Sequence, residues 1–389
     1  MTDPNPAGLP LVSRAWWRPF RVPFRSEFVA AHGTMSVREG IVLVLETDGG
    51  DVGLGEASPL PSYSGGSVEE TGAAIEVLVR ELIGQPADAA WRRDLPLANV
   101  SAGSAAAARC AVEAASADLC SRAASISFRT WIARQGGIEA TAKRIAVNGT
   151  IDAGDPGDAA REAKALVSNG FQTLKLKVGT GPAADLTRIT AVREAIGDAV
   201  ALRIDANGAW GPADATAVLD RCPDYRIALC EQPISHLAPD AIGQLALVRG
   251  RSPIPVAADE SCRSLSNLDS LLAAMAVDAI VVKPMASGLR EAIRMVARAR
   301  EKGVPVIVTT MFDCGIGTTV AMHLAALTGP NPIACGLATL DHLVSSLVEA
   351  DPTIVRGTVE LTGRPGLDLR LDPASLERYT TGPRRELGQ

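Results

Sequence analysis

From about residue 144 the chain alternates a short apolar run with a segment of helical length, eight times over. The runs are RIAVNGTI, TLKLKVG, ALRIDANG, IALCEQP, PVAADES, AIVVKPM, PVIVTTM and ACGLAT. Between them lie amphipathic stretches such as PGDAAREAKALVSNG and GLREAIRMVARAREKG, each closing on a turn residue or a basic last turn. Strand alternating with helix implies a parallel sheet, because parallel neighbours need a long crossover between them. Eight such units close into a barrel more readily than they spread into an open sheet. A doubly wound sheet is the competing arrangement, but no GxGxxG or GxxxxGK[ST] follows the first runs. The fold class is therefore α/β; a barrel of this kind commonly takes about 250 residues, so a chain of 389 has room for one barrel and a smaller domain.

The first 140 residues have another texture. LVSRAWWRPFRVPF and REGIVLVLETDGGDVGLGEASP read as strands, the second folded at Asp48-Gly49-Gly50. Helical stretches follow, VEETGAAIEVLVRELIG and the alanine-rich GSAAAARCAVEAASADLCSRAA. Strands first and helices afterwards indicate an α+β module. After about residue 346, TIVRGTVEL and LDLRLDP read as short strands returning to that module. The expected organisation is an α+β cap over 1–142, the barrel with the active site over 143–345, and a C-terminal segment over 346–389 that rejoins the cap.

Thirty-eight basic residues against 44 acidic ones give a formal charge of −6 with no long run of either sign. That balance argues against nucleic-acid binding and against a basic membrane patch. No apolar run approaches the roughly 18 residues of a membrane span, and MTDPNPAGLP has no signal-peptide pattern. The seven cysteines show no CxxC spacing and several fall in apolar runs, so free buried thiols and a cytoplasmic location are expected.

In a barrel of this kind the chemistry collects where the strands end at their C-termini. The second run carries Lys175 and Lys177; the third ends in Asp205, followed by Asn207. The fourth ends in Glu231, the fifth in Asp259 and Glu260, the sixth in Lys283. From Lys177 the intervals are 28, 26, 28 and 24 residues, one strand–helix unit each, which places the five residues on equivalent rims of successive strands. Any one carboxylate alone reads best as an N-cap for the next helix. Three in register are a different matter: converging carboxylates repel, and hard oxygen donors with no nearby His or Cys suit Mg2+, with Mn2+ as an alternative occupant.

A lone strand lysine usually snorkels to solvent. Here Leu174, Leu176 and Val178 occupy the face that packs on helices, which turns Lys175 and Lys177 inward. Burial and a neighbouring like charge both lower a lysine pKa, so Lys177 reads as a general base and Lys175 as the neighbour that tunes it. A base beside carboxylate-bound Mg2+ is suited to removing the proton α to a carboxylate, because the developing dianion needs positive charge at hand. Lys283, across the barrel mouth, reads as a second acid/base or a cationic stabiliser. A barrel aldolase using Lys177 or Lys283 as a Schiff base is the more remote reading.

TLKLKVG, RIDANGAW, CEQP, ADES and VVKP, in this order and at these spacings, resemble the enolase superfamily, and within it the muconate lactonizing enzyme subgroup. The resemblance implies a modified TIM barrel of (β/α)7β type under an α+β capping domain. It makes Asp205, Glu231 and Asp259 the Mg2+ ligands, with Asn207 and Glu260 supporting them. Lys177 becomes the acid/base, Lys175 its neighbour, and Lys283 the opposite lysine. The partner implied is a small carboxylate substrate, and barrels of this family often assemble into homo-oligomers. By position, the stretches 28–36 and 60–66 would cover the substrate, which makes Ser62 and Tyr63 contacts.

Within the subgroup, dipeptide epimerases resemble one another in an Asp-x-Asp after the eighth strand; here GLATLDHL offers Thr339 and Asp341 instead. TTMFDCGIGTT and GLATLD look more like o-succinylbenzoate synthases, which dehydrate a cyclohexadiene carboxylate in menaquinone biosynthesis. That likeness assigns Thr310, Met311, Asp313, Gly336 and Ala338 to the substrate, although Asp313 stands where a glutamate is often found. N-acylamino acid racemase, dipeptide epimerase and muconate cycloisomerase remain alternatives.

Overall fold

The computed structural model describes residues 8–30, 33–94, 96–140, 142–329 and 333–388, the side chains of 28–30 and 33–34 excepted. The chain opens with three antiparallel strands, β1 (Val12–Ala30), β2 (Gly33–Thr47) and β3 (Val52–Ala57). The β2–β3 turn falls on the Asp-Gly-Gly signal, where Gly50 N donates to Thr47 O at 3.0 Å. Two helices cover this sheet, Val68–Arg80 and Ala102–Ala123. The second is alanine-rich because the sheet comes so close to it. A Cβ on Gly53 would lie 2.1 Å from Ala115 O, and one on Gly55 2.1 Å from Ala111 O. Small residues on both elements let the backbones meet directly.

After β4 (Arg144–Ala146), which lies outside the barrel sheet, the barrel runs β5 (Gly149–Ile151), β6 (Thr173–Lys177), β7 (Ala201–Asp205), β8 (Ile227–Glu231), β9 (Val256–Ala258), β10 (Ala279–Val282) and β11 (Val306–Val308). Strands β5 to β11 form one parallel sheet in sequence order. The connecting helices bury the stripe expected of them: in Leu289–Glu301 it is Leu289, Ala292, Ile293, Met295, Val296 and Ala299. The expected eighth strand is reduced to two bridges. Cys335 pairs with Val147 beside the first strand, and Gly336 with Thr309 after the last, which closes the ring. The run ACGLAT needs no more than this, because Cys335 and Gly336 already bond to both neighbours at 2.8–3.3 Å.

The C-terminal segment departs from its expected form. Of the two runs read there as strands, TIVRGTVEL contributes β12 (Thr358–Glu360), which pairs with β4 under the barrel. LDLRLDP is not a regular strand. Its Leu367 amide donates to Asp118 of the long cap helix at 2.7 Å, so a side chain takes the bond a sheet partner would have taken. The strand that does join the cap sheet is β13 (Arg385–Gly388), alongside β1. The stretch 28–36 was expected to be a covering loop. Its residues 31 and 32 lie outside the described residues, while 28–30 and 33–36 extend β1 and β2 as paired strands. All seven cysteines are free and buried. No helix among the described residues is long and apolar enough to cross a membrane.

Candidate active site

Register brings the strand ends together. Lys177 lies opposite Asp205 across β6–β7, and Asp205 opposite Glu231 across β7–β8. Leu174 and Leu176 are fully buried on the outer face of β6, so the lysines between them point to the barrel axis. Lys177 Nζ donates to Asp205 Oδ2 at 2.7 Å and to Asn207 Oδ1 at 2.8 Å. Lys175 Nζ bridges two carboxylates, Asp205 Oδ2 at 2.9 Å and Glu231 Oε1 at 3.1 Å. Lys283 Nζ donates to Asp259 Oδ2 at 2.8 Å. The strands of Lys177 and Lys283 are second and sixth of eight positions around the closed ring, so the two amines approach the mouth from opposite sides.

Electrostatics separates the carboxylates. Burial opposes ionisation of Asp205, but the Lys175 and Lys177 ammoniums outweigh it and hold its carboxyl well below the usual range. Glu231 is pushed up to about 8 by burial and by the like charge of Asp205, against the pull of Lys175. Glu260 rises to about 7 from burial and from Asp259 beside it. For Lys175, burial disfavours the charge, yet Asp205 and Glu231 more than restore it, and its pKa lies above the ordinary lysine value. Lys175 is thus a fixed cation of the site.

The hard-oxygen donor set suits a divalent cation, and the repulsion that raises Glu231 is what such a cation would relieve. The lysine ammoniums stand between the carboxylates, however. Among the described residues no three His, Cys, Asp or Glu side chains are drawn around a single coordination point. Asp205 and Glu231 share one ammonium, Lys175, and Glu260 keeps one buried oxygen, Oε2, without a hydrogen-bond partner.

Several further residues position this rim. Gln232, with φ of 39°, turns its amide back: Oε1 accepts from Asp259 N at 2.8 Å and Ser261 N at 3.2 Å. Asn207 donates to Glu260 Oε1 at 3.0 Å while accepting from Lys177. From the cap, Tyr63 donates to Asp259 Oδ1 at 2.7 Å, its ring centroid lies 3.8 Å from Lys283 Nζ, and its carbonyl accepts from Arg263 at 3.0 Å. Glu56 of β3 accepts from Cys314 N and Gly317 N at 2.7 and 2.8 Å, so a cap carboxylate seats the start of helix Gly315–Ala325.

The residues expected to meet substrate are distributed unevenly. Tyr63 reaches the rim, whereas Ser62 beside it is exposed. Thr310 and Thr339 share a hydroxyl–hydroxyl bond of 2.5 Å. Met311 is buried in the core at 2% exposure, and Gly336 sits against Thr309. Ala338 is half-buried. Asp313 is buried 3.9 Å from the Arg38 guanidinium, and burial with Glu56 nearby lifts its carboxyl to about 7. Asp341 is exposed, with its carbonyl accepting from Arg25 at 3.0 Å. Sequence reasoning passed over Asp152, Gln232, Arg263 and Glu56. Applying the strand-end rule to the first run, RIAVNGTI, would have found Asp152.

Comparison with known proteins fits this geometry. Residues 158–375, more than half of the chain, match the family described as "Enolase C-terminal domain-like", and 14–111 match "MenC, N-terminal domain". The chain belongs to the enolase superfamily. Among superfamily relatives, a hydrophobic dipeptide epimerase of Enterococcus faecalis is 32% identical over 79% of this chain and 85% of its own. An o-succinylbenzoate synthase of Thermobifida fusca is 34% identical over 59% of this chain and 72% of its own. A crystal structure of an Enterococcus faecalis dipeptide epimerase with Mg and the dipeptide L-Leu-L-Tyr superposes with a TM-score of 0.83 at 28% identity, covering 92% of this chain and 99% of that one.

Proposed function

We propose that this enzyme uses Lys177 to remove the proton α to a substrate carboxylate, with Mg2+ held by Asp205, Glu231 and Asp259. One observation carries the reading: lysines and carboxylates from successive strands meet on one rim, Lys177 within 2.7 Å of Asp205 and Lys283 within 2.8 Å of Asp259. Bound there, Mg2+ supplies the positive charge that an enediolate requires. Lys177 takes the proton, Lys175 stays charged beside Asp205 and Glu231, and Lys283 faces the developing charge from the far side. From the cap, Tyr63 holds Asp259 by its hydroxyl and lies against Lys283.

The reaction we propose is the syn dehydration of a cyclohexadiene carboxylate to o-succinylbenzoate. Supporting it, position 339 is a threonine bonded to Thr310, and Asp341 turns to solvent, so no pair of acids follows the eighth position to receive an ammonium group. The o-succinylbenzoate synthase relative supports it as well, over the shorter alignment. A second reading, racemisation or epimerisation of N-acylamino acids or dipeptides, draws on the two lysines on opposite sides of the mouth and on the longer match to an epimerase. The test is to incubate each substrate class with enzyme and Mg2+ in D2O. Loss of the diene absorbance supports dehydration; deuterium incorporated with scrambled configuration into amino acid substrates supports the second reading.

A further inference from the structure

Asp185 gathers two segments that lead away from the rim. The ladder between β6 and β7 ends one residue past Lys177, where Val178 N donates to Asp205 O at 2.9 Å. Beyond it lie two short connecting segments, 179–181 after β6 and 206–210 after β7. Asp185, in the first turn of helix Pro182–Ile196 and fully buried, accepts from both. Its Oδ2 takes Gly179 N at 3.0 Å, Gly181 N at 3.2 Å and the Trp210 indole N–H at 3.1 Å. Its Oδ1 takes Thr180 N at 3.1 Å, the Thr180 hydroxyl at 3.0 Å and Arg188 Nη2 at 2.7 Å. The segments also touch: Gly179 has a φ of 110°, and a Cβ there would lie 2.7 Å from Ala209 Cβ.

A carboxylate near a helix start ordinarily caps its own helix. Asp155 does so, accepting from Gly157 N and Asp158 N ahead of it. Asp185 instead reaches backward into the segment before its helix and sideways to Trp210, in the segment after the next strand. That second segment carries Asn207, with a φ of 44°, whose Oδ1 accepts from Lys177 Nζ at 2.8 Å. On its far side it is tied to the residues after β8, by Gly208 N to Gln232 O at 2.7 Å and Trp210 N to Pro233 O at 3.2 Å. Asp185 supplies the tie on the near side. We propose that Asp185 is a positioning residue for the base: it joins the two segments, so that Asn207 stays where it orients the Lys177 amine. This rests on the reading of Lys177 as the base, and not on which substrate it serves. A misplacement of about 1 Å costs about 100-fold in rate, and Asn207 is one of two acceptors that hold this amine. Burial opposes the charge of Asp185, yet Arg188 and the backbone amides outweigh it and hold the carboxyl below its ordinary value.

The experiment measures single turnovers with Mg2+ and enzyme in excess, raised to saturation. The substrate is the cyclohexadiene carboxylate, read by absorbance, or, where wild type epimerises instead, the N-acylamino acid, read by α-proton exchange in D2O. A loss of folded enzyme shifts the concentration that saturates, whereas a misplaced base lowers the limiting rate constant. Asp185→Asn keeps the shape but sets an amide N–H against the donors, and its limiting rate constant is expected to fall about 100-fold. Trp210→Phe removes the indole N–H that spans the two segments, and a fall of about tenfold is expected. Asp278→Asn is the control. Asp278 accepts from Val256 N at 2.9 Å and Arg249 Nη2 at 2.7 Å at the opposite end of the barrel, so this variant should keep the wild-type rate constant. Wild-type rate constants in Asp185→Asn and Trp210→Phe overturn the role, and Trp210→Phe decides alone if Asp185→Asn does not fold. An equal fall in Asp278→Asn overturns it too. Lys177→Ala at the wild-type rate, or wild type turning over neither substrate, overturns the reading of the base and this role with it.

Discussion

The Tyr63 hydroxyl lies 2.7 Å from Asp259 Oδ1, so a side chain of the capping domain is hydrogen-bonded to a carboxylate at the end of a barrel strand. The same ring stacks over Lys283, and Arg263 holds the Tyr63 carbonyl. Cap docking and the arrangement of the rim are therefore one event. Tyr63→Phe keeps the ring and removes only the bond to a charged acceptor, worth about 1.5–3 kcal/mol. Tyr63→Leu removes the cation–π contact as well. Turnover is expected to fall about tenfold in the first and further in the second, with the unfolding midpoint lowered in both. A wild-type kcat in Tyr63→Leu would count against the coupling.

Lys177→Ala should abolish turnover while Mg2+ binding, followed by calorimetry, persists, because the carboxylates are intact. Asp205→Asn should do the reverse at the first step and weaken Mg2+ binding by about 10-fold or more, since it neutralises one of the proposed ligands. An unchanged Mg2+ titration in Asp205→Asn would remove it from the ligand set.

Glu113 lies fully buried in the long cap helix, where it accepts from Arg290 N at 2.9 Å, and burial lifts its carboxyl to about 7. A raised carboxyl pKa means the folded state keeps a proton that the unfolded state releases near pH 4.3. Its contribution is thus fully present below pH 4.3 and is lost as pH rises through about 7. Glu113→Gln should flatten the fall of stability between pH 5 and 7 by up to about 1.4 kcal/mol per pH unit. Denaturant unfolding at several pH values measures this, and parallel curves for variant and wild type would contradict it.

Gly55→Ala places a methyl 2.1 Å from Ala111 O, which is backbone and cannot step aside. Overpacking of this kind costs about 1–3 kcal/mol, and the expected outcome is a lowered unfolding midpoint with the site chemistry retained at low temperature. An unchanged midpoint would show that the sheet and helix are less tightly joined than their contacts indicate.

What could be read from the sequence was what repeats. TLKLKVG carries its own orientation in a period of two, and the interval from Lys177 through Lys283 carries the barrel. Asp152 was hidden because IDAGDPGD holds three aspartates and only one of them is a helix cap. That one is Asp155, which accepts from Gly157 N at 2.8 Å. Only its place directly after the first apolar run, where the strand-end rule points, sets Asp152 apart from Asp155. Gln232 was passed over for a similar reason: its role is an amide folded back onto the next strand, a long-range contact with no periodic trace. The ring closes through Cys335 and Gly336 alone, and a two-residue pairing leaves too little pattern to tell from a full strand.

The central claim is that Lys177 moves a proton α to a carboxylate, and isotope exchange tests it most directly. Wild type and Lys177→Ala are incubated with Mg2+ and the cyclohexadiene carboxylate in D2O, and both product and recovered substrate are analysed by mass spectrometry and absorbance. The account predicts that wild type consumes the diene, while Lys177→Ala neither consumes it nor exchanges its α proton. Consumption or exchange by Lys177→Ala at the wild-type rate would contradict it.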